Sequence, residues 1–151
     1  MARWGMVGRV VIAAALGLGG IAVTMAAPTI TEVDAAGCVR ITGGVFNSPG
    51  NDNYMPYLNQ EYVVIKNVCS TSKLMTGYKV HDYGKKHIYA FPSGYRIGAG
   101  VSVKLRSGTG TNGTYNLYWH RSYGAVWNNT PPERAYLKNP SGTTISSWSP
   151  Y

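Results

Sequence analysis

The sequence predicts an all-β domain built as a sandwich or barrel of seven or eight short strands. After residue 35, short runs rich in Val, Ile, Tyr and Trp follow one another, and no helical periodicity is found. Clusters of Gly, Asn, Ser and Pro separate these runs, which is the spacing of an all-β sandwich or barrel. Several runs alternate apolar and polar residues, so each strand is expected to have one inward and one outward face.

Residues 1–35 are predicted to be a secretory signal peptide, which leaves residues 36–151 as the domain. Arg3 and Arg9 precede an uncharged, largely apolar run over residues 10–27, and small residues at the end of this segment suit cleavage after residue 35. Export would make the mature chain secreted, either extracellular or associated with the cell envelope.

Three alternatives stay open for this segment. Small residues at 24–26 offer an earlier cleavage site. The apolar run is near the lower length limit of roughly 18 residues for crossing a bilayer, so an uncleaved anchor is also considered. The sequence AAGC, ending at Cys38, is a faint signal for lipid attachment, although acidic residues separate it from the apolar run.

The two cysteines of the chain, Cys38 and Cys69, both fall in the part predicted to be exported. In an oxidising compartment the expected outcome is one disulfide. It would close a loop of about thirty residues, worth ~3–4 kcal/mol in the chain-entropy account. Because the two cysteines have no CxxC spacing, a zinc site is not predicted.

The first two strands show clear inward positions. CVRIT places Val39 and Ile41 on one face, and a loop dense in turn residues, NSPGNDNYMPY, follows it. EYVVIKN places Val63 and Ile65 together on one face of the next strand.

Two further strands are predicted around a turn that contains Gly84. TGYKVHD alternates, with Tyr78 and Val80 expected inward and Lys79 and His81 expected outward. HIYAFP follows, and its terminal proline ends the strand because it cannot donate to a ladder.

The last strands follow the clearest alternation in the chain. VSVKLRS sets Val101, Val103 and Leu105 against polar neighbours, and a loop, SGTGTNGT, leads from it to the predicted strands TYNLYWH and AVWNN. The final hairpin joins ERAYLK to TTISSW through residues 139–142, where Asn, Pro and Gly occupy the positions that a type I turn prefers.

Six segments in order carry a resemblance to a known family. They are LNQEYVVIKN, LMTGYKVHD, YAFPSG, GAGVSVKLRSGTGT, LYWHRSYGAVWNNT and AYLKNPSGTTI. Together they resemble lamin-tail domains, and more specifically the small exported versions found in bacteria. The resemblance implies an immunoglobulin-like β-sandwich and a binding or tethering module. Tyr78, Ala99–Gly100 and residues 131–134 depart from the family pattern, and the last departure leaves open the loop into the final hairpin.

Candidates for catalysis are few, because residues 36–151 contain four carboxylates: Asp52, Glu61, Asp82 and Glu133. A glycosidase needs two carboxylates that face one bond. Glu61 and Asp82 could form such a pair only if their strands are neighbours, which makes a small cell-wall or nucleic-acid hydrolase the alternative function. We interpret Glu61 and Asn67 instead as the polar ends of a core strand.

The histidines offer a weak metal hypothesis. His81 and His87 flank a turn and could bind a metal with Asp82 if they met across the hairpin, but the predicted alternation puts the two rings on opposite faces. His120 lies beside Arg121, with no acid placed to orient it. The glycine-rich SGTGTNGT is not followed by the helix that a phosphate loop requires. We therefore predict no catalytic residue, no metal and no cofactor.

Basic and aromatic residues are the remaining candidates. The sequence from residue 36 carries twelve Lys and Arg against four Asp and Glu, a balance that attracts anions. The candidate anion-binding face consists of the outward residues Lys66, Lys79, Lys104, Arg106 and Lys138. Loop tyrosines also suit stacking on sugars or bases; they are Tyr54, Tyr57, Tyr83, Tyr95 and Tyr123.

The sequence thus predicts a secreted, non-enzymatic binding or tethering module. Its expected partner is anionic, either a cell-wall polymer or nucleic acid, and the processed chain is not expected to insert into a membrane. A third hypothesis, besides the hydrolase, is an inhibitor or effector that presents its tyrosine-rich loops to a protein.

Overall fold

The computed structural model describes residues 37–51, 53–128 and 133–150, and over these residues the protein is all-β, as predicted. The signal peptide, its alternatives of cleavage and anchoring, Asp52 and residues 131–132 lie outside the described residues. The strands are β1 Val39–Val45, β2 Tyr62–Asn67, β3 Lys73–Leu74, β4 Lys79–His81, β5 Ile88–Ala90, β6 Arg96–Ile97, β7 Ser102–Arg106, β8 Asn116–Tyr118, β9 Ala135–Lys138 and β10 Thr144–Trp148.

The strands form two four-stranded sheets and one small ribbon, which confirms the predicted immunoglobulin-like sandwich. The first sheet has the order β1-β2-β7-β8, the second β10-β9-β4-β5, and β3 pairs with β6. All pairings are antiparallel except β7 with β8. The edge strands β1 and β10 approach each other, and the backbone N–H of Ile41 donates to Ser146 Oγ at 3.0 Å.

The strict alternation seen in the sequence builds the core. Val63 and Ile65 of β2 and Val103 and Leu105 of β7 have no exposed surface, while the residues between them are partly open to solvent. Burying one such aliphatic side chain is worth about 1.5–3 kcal/mol. The second sheet contributes Val80, Ala135 and Leu137 in the same way.

Aromatic rings fill the space at one end of this core. The rings of Phe46 and Trp127 stack at 4.9 Å, and Trp148 and Trp119 meet them edge-on at 5.2 and 5.5 Å. Stacked and edge-to-face pairs each add about 0.5–1.5 kcal/mol beyond their buried area. Trp127 is therefore a core residue, as expected, whereas Trp119 is partly buried and packs against the core.

A β-bulge bends β1 where the register shifts between Ile41 and Gly43. A Cβ on Gly44 would lie 2.6 Å from the carbonyl oxygen of Tyr62 and 2.9 Å from the Trp148 ring. Only glycine lets the bulged strand approach β2 and the aromatic cluster this closely.

The connection from β7 to β8 folds back on the sheet and brings the two strands side by side in parallel. Asn112 Oδ1 accepts a hydrogen bond from the N–H of Tyr118 at 2.9 Å. A Cβ on Gly110 would collide with the Tyr118 ring. Glycine at this position of SGTGTNGT thus allows the loop to pack closely against the strand. The loop leads into β8 and not into a helix.

Three expectations about strands and faces need correction. Over its described residues 125–128, AVWNN is not a strand: Val126 and Trp127 form a bend, and their N–H groups bind a side chain, as described below. The strand in TGYKVHD covers Lys79–His81 alone. His81 is buried, with 6% of its surface exposed, because its ring stacks on Tyr136 of the neighbouring strand at 5.0 Å.

The predicted disulfide joins Cys38 to Cys69, with the two Cα atoms 5.2 Å apart. It lies where β1 begins and β2 has just ended, next to the Val39–Asn67 register pair. The N–H of Val68 donates to the carbonyl of Cys38 at 2.7 Å, so backbone pairing continues up to the bridge. The covalent link therefore fixes the register of β1 on β2.

Replacing both cysteines, as Cys38→Ala with Cys69→Ala, should lower the free energy of unfolding by about 3–4 kcal/mol. The two cysteines are 31 positions apart in the sequence, and without the bridge the unfolded chain regains the entropy of that open loop. Urea unfolding measures the loss, and reduced wild type serves as the control. A reduced wild type as stable as the oxidised one would contradict this account.

Tyr89 carries a hydroxyl that is buried and has no hydrogen-bond partner among the described residues. Burial raises the pKa of Tyr89 from 10.0 to about 12, and the nearby Tyr95 phenol adds to the rise. The folded state thus favours neutral Tyr89 more strongly than the unfolded state does. The contribution of Tyr89 to the free energy of unfolding is fully present below pH 10.0 and is lost as the pH rises toward about 12.

Tyr89→Phe should remove this alkaline loss, and it should not destabilise the protein at neutral pH because the deleted hydroxyl has no partner. Urea unfolding at a series of pH values between about 8 and about 12 measures the effect. Tyr83→Phe, on an exposed turn, is the matched control and should retain the wild-type slope. Equal alkaline slopes for wild type and Tyr89→Phe would count against the assignment.

Candidate functional site

Glu61 lies at the end of the helical turn Tyr57–Gln60, immediately before β2, and is fully buried with 0% exposure. Its two carboxylate oxygens accept hydrogen bonds from the N–H groups of Val126 and Trp127, at 2.9 and 2.8 Å. A buried carboxylate is tolerated only when charge-assisted hydrogen bonds replace its water shell. Glu61 is therefore a structural clamp on a segment 65 residues away in the sequence.

The clamp explains why AVWNN is not a strand. The N–H groups of Val126 and Trp127 bind the carboxylate rather than a neighbouring strand. The backbone turns there, and the Trp127 ring enters the aromatic cluster with 0% exposure. No local sequence pattern predicts this interaction, because the carboxylate comes from a segment about half the domain away in the sequence.

Asn67, the last residue of β2, has a similar role at the opposite end of the strand. Its amide nitrogen lies within hydrogen-bond distance of the carbonyls of Thr71, Ile97 and Gly98, at 2.7, 3.0 and 3.0 Å. Its side-chain oxygen accepts from the N–H of Cys69 at 3.0 Å. Both polar ends of LNQEYVVIKN thus hold distant backbone, a larger role than ending a strand.

Glu61 and Asp82 do not belong to neighbouring strands. Glu61 precedes β2 of the first sheet, whereas Asp82 follows β4 of the second. Asp82 is 1% exposed, and its oxygens bind the N–H and the Nδ1 of His87, each at 3.0 Å. The condition on which the paired-carboxylate hypothesis depended is therefore not met.

The histidines serve local contacts. His81 Nδ1 lies 2.7 Å from the carbonyl oxygen of Asp82, and His87 Nδ1 faces the Asp82 carboxylate. Within the described segments, no group of three His, Cys, Asp or Glu side chains could hold a metal ion. His120 is exposed, and its ring lies 6.4 Å from that of Tyr118.

The five residues of the candidate anion-binding face are divided between the two sheets. Lys66, Lys104 and Arg106 lie on β2 and β7, whereas Lys79 and Lys138 lie opposite each other on β4 and β9. Arg40 is not in the predicted set, although it alternates with the buried Val39 and Ile41 on β1. Arg40 pairs directly with Lys66 in the register.

We call Arg40, Lys66, Lys104 and Arg106 the basic face, the outer surface of the first sheet. Tyr62 lies among these cations: Lys104 Nζ is 4.4 Å and the Arg106 guanidinium 5.5 Å from its ring centroid. Arg106 also donates to the carbonyl of Asn59 at 2.6 Å and to Asn116 Oδ1 at 2.9 Å, so its guanidinium is held in place.

Like charges stand directly opposite each other at two places, Arg40 with Lys66 and Lys79 with Lys138. Such cross-strand pairs are unfavourable for stability. Acids do not relieve them, because two of the three described carboxylates, Glu61 and Asp82, are buried and held by N–H groups. The described surface is therefore strongly cationic.

The loop tyrosines differ in exposure. Tyr54 and Tyr123 are 52% and 61% exposed, form an isolated β-bridge, and have ring centroids 5.1 Å apart. Tyr57 and Tyr83 are exposed singly. Tyr95 is half-buried and donates its hydroxyl to the carbonyl of Thr114 at 2.9 Å.

These features define an immunoglobulin-like β-sandwich whose polar residues support the backbone rather than chemistry. A family model described as Lamin Tail Domain matches residues 32–151, so the chain belongs to the lamin tail domain family. The match confirms the resemblance seen in the six sequence segments. The family consists of non-catalytic domains, which indicates a binding module rather than an enzyme. A search of curated proteins gives no match to the chain.

Glu61→Gln should lower the free energy of unfolding by about 2–4 kcal/mol, because an amide NH₂ would face one of the two backbone N–H groups and leave it unpaired. Urea unfolding measures the change. Glu133→Gln is the matched control: Glu133 Oε1 accepts from the exposed Asn128 side chain at 2.7 Å, and this change should alter stability by less than about 0.5 kcal/mol. Wild-type stability in Glu61→Gln would contradict the clamp and reopen a chemical role.

Proposed function

We propose that the protein is a secreted, non-enzymatic module that binds an anionic polymer of the extracellular space or cell envelope through its basic face. The observation that carries this proposal is the direct Arg40–Lys66 pairing on an outer sheet surface. An unfavourable like-charge pair costs little once an anion lies between its members, and neighbouring strands lie ~4.8 Å apart, so two facing side chains can reach the same anion.

The basic face suits a chain of repeated anionic groups. Its cations lie on three adjacent strands, β1, β2 and β7. Arg40 faces Lys66 at one end of β2, whereas Lys104 and Arg106 lie toward the other end, beside Tyr62. The Tyr62 ring offers an aromatic surface there, in contact with Lys104 and Arg106. A groove or face that combines cations with aromatic rings binds nucleic-acid strands and other anionic polymers in a salt-dependent way.

The disulfide supports export, since such bonds persist in oxidising compartments. A bridged Cys38 has no free thiol for lipid attachment. Over the described residues, no helix is long and apolar enough to cross a membrane. We propose that the domain reaches its partner after removal of the N-terminal segment.

A second candidate function is binding to a protein through the Tyr54–Tyr123 pair. These two rings and the neighbouring Met55 are exposed together on two adjoining loops. Exposed apolar side chains that cluster often mark protein contacts. A stoichiometric protein complex that is insensitive to salt would favour this function over polymer binding.

Removing two cations from the basic face, as Lys66→Gln with Lys104→Gln, should weaken retention of the full-length protein on immobilised DNA and on an anionic cell-wall polymer. Retention is followed between about 50 and 200 mM salt, and the slope of log affinity against log salt should fall by about two.

The matched control is Lys86→Gln with Arg134→Gln, which removes equal charge at exposed positions away from the basic face. It should retain most of the wild-type slope. If both double variants lost retention equally, net charge alone would explain the binding, and the basic face would have no specific role. Absence of retention by the wild type on either polymer would overturn the proposal and direct the search to a protein partner.

A further inference from the structure

A cavity of ≈ 230 Å³ lies on the second sheet, away from the basic face, beside the turn that joins β9 to β10. Three lysines line it: Lys79 from β4, Lys85 from the turn before β5, and Lys138 from β9. None of the residues that line it is an acid. The cavity is smaller than the roughly 300–1,000 Å³ of sites for drug-sized ligands, so a small group fits it.

The lysines are positioned by different parts of the fold. Lys79 and Lys138 are direct register partners on adjacent antiparallel strands. Lys138 Nζ donates to the carbonyl of Gly142 at 3.1 Å, which draws it toward the hairpin turn. Lys85 has a φ of 59°, a left-handed conformation uncommon outside glycine and asparagine. Three lysines that line one cavity, with no acid among the lining residues, suit one compact anion.

His81 lines the same cavity and supplies a second, independent signal. His81 is only 6% exposed, and its ring is fixed by stacking on Tyr136. Its Nδ1 lies 2.7 Å from the carbonyl oxygen of Asp82, which can only accept, so Nδ1 must carry a proton. Nε2 is buried and has no partner among the described residues.

The tautomer decides what a ligand must offer. In the neutral ring with a proton on Nδ1, Nε2 is an acceptor and needs a donor such as a hydroxyl. Buried polar atoms without a partner are uncommon and point to an interaction that the described residues do not supply. A fully deprotonated anion would satisfy the lysines but has no proton to donate to Nε2. The matching ligand carries an anionic group and a hydroxyl a few atoms apart.

We propose that this cavity binds a phosphorylated polyol, with the phosphate held by Lys79, Lys85 and Lys138 and a hydroxyl donated to His81 Nε2. Ile88 and Pro140 line the remaining wall and contact the carbon skeleton. The long lysine side chains and the exposed Ile88 can move aside as the hydroxyl approaches the buried nitrogen. The site lies on another sheet than the basic face and does not depend on it.

Two small ligands of equal charge separate the two halves of the proposal. Glycerol 3-phosphate carries the phosphate and hydroxyls, whereas propyl phosphate lacks the hydroxyls. Calorimetric titration of the full-length protein at low salt, at about pH 8 where histidines are ordinarily neutral, should show saturable binding of glycerol 3-phosphate. Propyl phosphate should bind about tenfold more weakly, the value of one hydrogen bond to a buried acceptor.

Variants assign the contacts. Lys138→Met should weaken both ligands, whereas Lys66→Met, which removes equal charge from the basic face, should weaken neither. His81→Phe keeps a ring against Tyr136 and removes Nε2, so the two ligands should bind equally. If His81→Phe fails to fold, His81→Asn retains a donor for the Asp82 carbonyl and gives the same test.

The outcomes are decisive in either direction. Equal binding of the two ligands by wild type overturns the role of His81. No saturable binding up to about 10 mM, or an affinity unchanged by Lys138→Met, overturns the site. Loss of polymer retention in the Lys66 and Lys104 variant, with glycerol 3-phosphate binding intact, would show that the cavity acts independently of the basic face.

Discussion

The pair of hydrogen bonds from the Glu61 carboxylate to the N–H groups of Val126 and Trp127 is the constraint on which the rest of the sandwich depends. A carboxylate with no exposed surface must find donors inside the protein, and these two donors fit only if the chain bends there. The bend places Trp127 against Phe46. One charge thereby fixes the segment that leads to the second sheet and seals one end of the core.

The other end of β2 is held by neutral and covalent links. Asn67 binds the backbone near β6, and the Cys38–Cys69 bridge ties the same end to β1. A strand held at both ends keeps its alternation in register, since a slip of one residue would turn Val63 and Ile65 to solvent. The outward residues of β2 are fixed by the same links, so Lys66 keeps its place beside Arg40.

The use of acids inside the protein shapes its surface. The carboxylates of Glu61 and Asp82 bind backbone N–H groups and, for Asp82, the His87 ring inside the protein. They therefore do not neutralise the exposed lysines and arginines. The result is a small sandwich with cations on both sheets and like-charge pairs on each. This separation of charges favours a binding role for anions, consistent with a non-catalytic lamin tail domain.

The sequence by itself determined the all-β class, the inward faces of β2 and β7, the disulfide and the family, because alternation, turn residues and cysteine count are local or compositional properties. It also predicted outward cations. Their division between the two sheets depends on the order of the strands in each sheet, and the linear sequence does not show that order. Tertiary structure alone decided that His81 is buried, that AVWNN bends, and that Glu61 is a clamp. In each case the deciding partner is a strand neighbour or a distant backbone segment, and such contacts leave no periodicity in the sequence.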